Sequence, residues 1–264
     1  MKEGKGLRIP YTISRNAMQA QQNKMNTIAH NIANVNTIGF KESTVQFTEL
    51  VHNAATEQDV RLSPDANQVS NGVGIRIGEA KQTHSQGSLV ESSDPFHLSV
   101  GGAGFFGVRN GDNELMLTRD GAFHLNEQNQ LVNDRGDYLD MTAFIPVEQW
   151  QKDQLAVDKT GEVTMVMNGQ SVLVGQIPLY MPTDSGALTP AGSNMYRLAE
   201  GANLLNSAEN PESFGQLLSG YTEGSNVDLA QSFTDMIMTQ RAYSMNAKVV
   251  QSTDEIYSLI NQFN

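Results

Sequence analysis

The sequence predicts an α+β fold: a discontinuous domain of paired N- and C-terminal helices, coiled-coil-like, with an antiparallel β domain inserted between them. Three observations predict it. Both ends of the 264-residue chain carry apolar residues at helical spacing over long stretches without internal glycine. The middle alternates short β-rich runs with glycine-containing turn pairs. The ends also differ in charge. Residues 1–45 hold six Lys/Arg and two acids, whereas 226–264 hold two and four, so the ends attract one another. The predicted boundaries are 1–51 with 220–264 for the helical domain, 52–70 for a connector and 71–219 for the β domain.

The first helix is read over 8–36. Ile9, Ile13, Ala17, Ala20, Ile28 and Ile32 recur at intervals of three and four, with one turn skipped around Lys24; Met18 and Met25 widen the stripe. Pro10 belongs in a first turn, which makes Thr12 or Ser14 the expected cap. "MKEGKG" before it reads as a flexible leader. The helix ends in "HNIANVNTIGFKES", His30–Ser43, where Asn31, Asn34 and Asn36 stand in place of better helix formers. Gly39 permits a turn there and Phe40 anchors it.

From about 70 to 215 the pairs Asn110-Gly111, Asp120-Gly121 and Asn168-Gly169 are hairpin signals. Residues 52–70 and 200–224 are polar and turn-rich and read as connectors. The second helix is read over 226–263, with Asn226 as N-cap and Asp228 in the first turn. Its seam runs through Leu229, Phe233, Met236, Gln240, Tyr243, Ala247, Val250, Ile256 or Tyr257, and Ile260. The gaps are mostly four then three, close to a coiled-coil repeat. So long a helix needs a partner along most of its length.

Composition narrows the function. A net charge of -12, with -14 on the middle of the chain, is the wrong sign for a nucleic-acid binder. The chain has no cysteine, which excludes disulfides, thiolate metal sites and a cysteine nucleophile. No apolar run reaches membrane-spanning length, and no apolar h-region follows Lys2 and Lys5, so neither membrane insertion nor a cleavable secretion signal is expected.

Chemical signals are weak. "GGAGFFGV" (Gly101–Val108) lacks the Gly-Lys-Ser/Thr of a phosphate loop and reads as a tight β corner seating Phe105 and Phe106. The histidines at 30, 52, 84, 97 and 124 show no ligand spacing. Arg119, Asp120 and His124 read as a hairpin turn with exposed polar flanks. Arg135-Gly136-Asp137, a tripeptide of adhesion proteins, reads as an acidic turn. No enzyme and no cofactor is expected.

The helices carry the strongest signal. Tyr243, Met245, Val249 and Tyr257 make the C-terminal helix apolar on more than one side, and Gln19, Gln21, Gln22, Asn23 and Asn26 flank the N-terminal stripe. Such surfaces suit packing among several helices. Helices with seams on several sides cannot bury them all alone, so partly disordered ends are expected in the free monomer.

At this point a resemblance enters. "NAMQAQQNKMNTIAHNIANVNTIGFKES" (Asn16–Ser43) resembles the N-terminal signature of bacterial flagellar rod and hook proteins. "SNVDLAQSFTDMIMTQRAYSMNAKVVQSTDEIYSLINQF" (Ser225–Phe263) resembles the C-terminal signature of the same family. "GVGIRIGEAKQTHSQGSLVESSDPFHLSVGGAGFFGV" and "LTRDGAFHLNEQNQLVNDRGDYL" resemble its β domain. The nearest type is the distal rod, with proximal rod and hook types beside it. His30, where Asn is common, and the line between 52 and 70 depart from the pattern.

The resemblance implies a structural subunit of the flagellar drive shaft. It implies export through the flagellar type III apparatus without cleavage, to a basal body outside the cytoplasmic membrane. It implies self-association into a helical tube through the terminal helices, with other rod and hook proteins as neighbours. On this reading Ile13, Ala17, Ala20, Ile28 and Ile32 pack against Leu229, Phe233, Met236, Tyr243, Val250 and Ile260. Asn31, Asn34, Asn36, Gln240 and Asn246 fix register by amide bonding. A secreted binding or adhesion module using the β domain is the alternative from another class.

Overall fold

The computed structural model describes residues 4–49, 53–54, 70–71, 75–167 and 169–262. They divide into two compact units. The first comprises Met1–Ala33, Glu42–Thr83 and Asp228–Asn264; the second comprises Asn34–Lys41 and His84–Val227. Two long helices at the chain ends and antiparallel strands between them make the fold α+β.

In the first unit, helix α1 (Gly4–Ala33) packs against helix α2 (Leu229–Gln262) and against a two-stranded ribbon. The ribbon pairs Ser43–Glu49 with Ile75–Gln82, antiparallel, with a bulge between Val45 and Phe47. Asn53–Ala54 pairs with Ser70–Asn71 farther along. The predicted connector at 52–70 otherwise lies outside the described residues, as does Asn168. α1 begins earlier than its apolar periodicity predicts, and Thr12 and Ser14 lie inside it rather than capping it. Asp228, not Asn226, caps α2: its Oδ1 accepts from the backbone N–H groups of Ala230 and Gln231 at 2.8 and 3.1 Å. A carboxylate accepts two such donors and suits the positive end of the dipole. Asn226 instead donates to Ser85 at 2.9 Å, within the second unit.

The second unit is built of antiparallel strands. Its nine-stranded sheet runs from Leu188–Gly192 through Met195–Leu198, Leu115–Thr118 and Phe105–Arg109 to Tyr138–Leu139, Leu131–Val132 and His124–Leu125. Leu179–Pro182 branches from Phe105–Arg109 and pairs with Leu204–Asn206. A second, four-stranded sheet holds Thr142–Ala143, Leu155–Val157, Glu162–Met167 and Gln170–Gln176. Segment 200–224, expected to be a connector, contributes three strands. Two of them, Gln216–Ser219 and Tyr221–Glu223, pair with Leu98–Gly101 and Leu89–Glu91. Its polar residues conceal the alternation that buries Leu217 and Thr222.

Successive strand residues face opposite sides of a sheet, and this explains the paired phenylalanines of "GGAGFFGV". Phe106 enters the large core with Leu98, Val100, Val108, Phe123 and Ile177, whereas Phe105 enters a smaller one with Leu117, Tyr180 and Tyr196. The Asn110-Gly111 turn joins a true hairpin, Phe105–Arg109 to Leu115–Thr118. Glu162–Met167 and Gln170–Gln176 pair as well, with Met167 opposite Gln170. Asp120-Gly121 does not join paired strands. Gly121 lies so close to Leu98 that a Cβ would fall 1.6 Å from the Leu98 carbonyl oxygen.

Candidate assembly site

The asparagine-rich block straddles the division between the units: it belongs to the first through Ala33 and to the second from Asn34 to Lys41. Asn31 is buried in the last turn of α1. Its Nδ2 donates to the Ser43 carbonyl at 2.8 Å, and its Oδ1 accepts from the Ser43 N–H at 3.0 Å. Both polar ends of the amide are thus satisfied by one backbone residue, which ties the first ribbon strand to the helix end. Aspartate would lack the donor and leucine would lack both.

Within the second unit, the Asn34 side-chain and backbone oxygens accept from the Thr37 hydroxyl and N–H, and Asn36 is exposed. Gly39 takes φ +69° and donates its N–H to the Glu223 carbonyl at 2.7 Å. A Cβ there would lie 2.4 Å from the Asp120 backbone nitrogen, so only glycine fits. Phe40 is buried beside it in sequence.

Lys41 closes the block. Its Nζ donates to Glu223 Oε1 at 2.6 Å and to the Ser85 carbonyl at 2.7 Å. Glu223 Oε1 also accepts from the Gly87 N–H at 2.8 Å, and Oε2 from Arg119 Nη1 at 3.0 Å. The Lys41 and Glu223 side chains are wholly buried and Arg119 nearly so. Burial pushes Lys41 below the ordinary ammonium value, while its bond and charge interaction with Glu223 oppose that shift. Burial also lowers His84, with the Lys41 and Arg119 charges adding to the effect. His84 stacks edge-on to Phe105 and Tyr196, and burial pushes the Tyr196 hydroxyl up to about 12.

The helices of the first unit present a different surface. Among the more buried positions of α2, Ser232, Met236, Thr239, Tyr243, Asn246, Val250, Thr253 and Tyr257 follow one another at alternating gaps of four and three. The fully buried ones are small and hydroxylated. Thr239 and Thr253 donate back to the carbonyls of Asp235 and Val249, four residues earlier. Leu229, Phe233 and Ile260, placed on the seam by sequence, are exposed, and so is Gln240. Ile237, Met238, Met245, Val249, Ile256 and Leu259 are exposed with them. On α1, Ala20 and Ile28 are buried, and Ile13, Ala17 and Ile32 partly so.

Three family models match this chain in order. A flagella basal body rod protein model covers residues 12–41. A flagellar hook protein FlgE/F/G D1 domain model covers 99–165, and a flagellar basal body rod FlgEFG C-terminal model covers 218–263. The flagellar basal-body rod protein FlgG of Agrobacterium fabrum is 30% identical over 260 residues, spanning 95% of this chain and 97% of the relative. FlgG of Caulobacter vibrioides is 33% identical over 253 residues, spanning 93% and 95%. This chain belongs to the flagellar basal-body rod protein family. The rod protein FlgF of Caulobacter vibrioides is 31% identical over a shorter 239 residues, spanning 88% of each chain. The family is one of structural rod proteins, not of enzymes.

The ion cluster takes one residue from each matched segment of the rod family: Lys41, Arg119 and Glu223. Sequence reasoning missed all three as a group. Lys41 stood inside the quoted N-terminal block, yet no local rule joins it to a glutamate 182 residues away. Arg119 was assigned to the exposed flank of a turn; it is buried because its charge has a partner. Arg135–Asp137 is a turn, as read: Asn133 Oδ1 accepts from the N–H groups of Arg135 and Asp137, and Gly136 takes φ +85°.

Proposed function

We propose that this chain is a structural subunit of the flagellar basal-body rod, of the distal type, and that it polymerises helically through its terminal helices. The observation that carries the reading is the match to FlgG proteins over nearly the whole of both chains. The outward apolar residues of α2 support it. Met245 is 62% exposed and Phe233 51%, on a helix whose opposite face already packs on α1. Apolar stripes of that kind are normally covered by other chains.

In the tube, α1 and α2 pair in coiled-coil fashion and face neighbouring copies. Asn34, Asn36, Gln240 and Asn246 set the register between copies. Leu229, Phe233 and Ile260 act between copies rather than within one. Asn31 fixes the helix end within the subunit, since its amide is fully engaged by Ser43. Other rod and hook proteins are its axial neighbours. The chain reaches them, outside the cytoplasmic membrane, through the flagellar type III export apparatus without cleavage.

Electron microscopy of basal bodies from a strain lacking this chain tests the assignment. A rod that stops short of its outer end supports the distal type. A rod missing from its base overturns that type in favour of a proximal one, and a complete rod and hook overturns the reading altogether.

A further inference from the structure

The second unit contains a cavity of about 520 Å³ that the rod reading leaves unused. Arg119 and His84 are among its polar lining residues, and Phe105, Met181, Leu188 and Leu205 among its apolar walls. Two buried side-chain atoms here have no hydrogen-bond partner, Arg119 Nε and His84 Nδ1. Arg119 is only 4% exposed, and its Nη groups are committed to Glu223 and to the carbonyls of Val100 and Gly102. The Phe105 ring covers the guanidinium at 5.1 Å, but a π face does not replace an in-plane acceptor for the Nε–H. The ion cluster behind it is unbalanced as well. Lys41 and Arg119 bring two positive charges and Glu223 one negative, all buried. An unmatched buried cation calls for an anion.

An acceptor that satisfies Arg119 Nε, and takes a further hydrogen bond from His84 Nδ1–H, is a carboxylate oxygen. The apolar walls call for a short aliphatic stem behind it. Most of the negative charge of this chain lies between residues 46 and 225, where Asp112, Glu127, Asp134 and Glu209 are exposed. We propose that the cavity is an acceptor site for a carboxylate side chain, Asp or Glu, from a second copy of this chain. The proposal rests on the rod-subunit reading for the source of that side chain.

The probe for the chemistry is 4-methylpentanoate, with 4-methylpentanamide as the matched uncharged control. Both are titrated into the purified full-length chain at pH 7 while the Arg119 Nε–H and His84 ring resonances are followed by NMR. A saturable shift of both signals with the acid, and at least about tenfold weaker binding of the amide, supports the site. Equal shifts with both compounds, or none, overturn it. Thr183 lines the cavity and is exposed, so Thr183→Trp blocks the site without removing a core group. This variant should retain the parental unfolding midpoint and lose the shift; a retained shift overturns the location.

The source is tested in assembled rods. The chain has no cysteine, so Thr183→Cys gives a unique thiol for a photoreactive label. Cross-links to an Asp- or Glu-bearing peptide of a second copy support the proposal. Full-length rods whose cross-links fall only on other proteins, or nowhere, overturn it and leave the rod reading standing. Failure of the unlabelled parent chain to enter rods overturns both.

Discussion

The two units treat apolar surface in opposite ways. The β unit encloses Leu98, Val100, Phe106, Val108, Val174 and Ile177 until nothing of them is exposed. Helix α2 does the reverse: it places Ser232, Thr239 and Thr253 inside and turns Phe233, Ile237, Met245 and Leu259 out. The first is a fold complete in itself, held by close packing. The second leaves much of its apolar surface outside in the single chain. One chain therefore carries a finished module and an unfinished one, and the two should fail under different perturbations.

The largest break in that comparison is Phe106→Ala. It removes a wholly buried ring from the finished module, and denaturant unfolding of the free chain should show a loss of about 4 kcal/mol. Next comes Lys41→Met. It removes two buried charge-assisted bonds, to Glu223 and to the Ser85 carbonyl, while Arg119 still pairs with Glu223, and the same assay should read about 2–3 kcal/mol. Combining it with Glu223→Leu should cost less than the sum of the two single changes, which a double-mutant cycle measures. Gly39→Ala should cost about 1–3 kcal/mol, since the backbone must abandon φ +69° or displace Asp120.

A pH effect should follow from His84. Its folded-state value is lowered, so below the ordinary 6.5 the unfolded chain binds the proton first. Stability should thus fall as pH drops through 6.5 and level off below the folded value. His84→Gln should flatten that part of the profile, as read by thermal unfolding in a pH series. The smallest effect on the free chain should come from Met245→Ala, within about 0.5 kcal/mol because the side chain is exposed. The same change should still reduce rod assembly, scored by electron microscopy. A Met245 variant that unfolds the monomer but assembles normally would reverse the comparison.

What the sequence made legible was short-range. The Asn133 turn follows from side-chain geometry within five residues, and the pairing of Met167 with Gln170 from a two-residue rule. The helices were legible because glycine is absent from 8–36 and 226–264 and periodicity is long. Their facing was not. Apolar periodicity joined Leu229, Phe233 and Ile260 to Met236, Tyr243 and Val250, although the first three face out and the most deeply buried inner positions are Ser232, Thr239 and Thr253. Periodicity tells which residues share a face, not what covers it. The family signatures were visible at both ends, but the ion cluster between them was not, because it depends on partners 104 and 182 residues apart.

That separation has a consequence for the order of folding. A chain is made one residue at a time, and contacts between distant residues must wait for the later one. Arg119 and Lys41 are both paired only when Glu223 is present, and Glu223 is paired only when they are. The cluster cannot close until Glu223, 182 residues after Lys41, has been made. The β unit then seals late, on a span that covers all three signature segments. The same three charges that fasten the finished module thus make its closure depend on nearly the whole length of the chain.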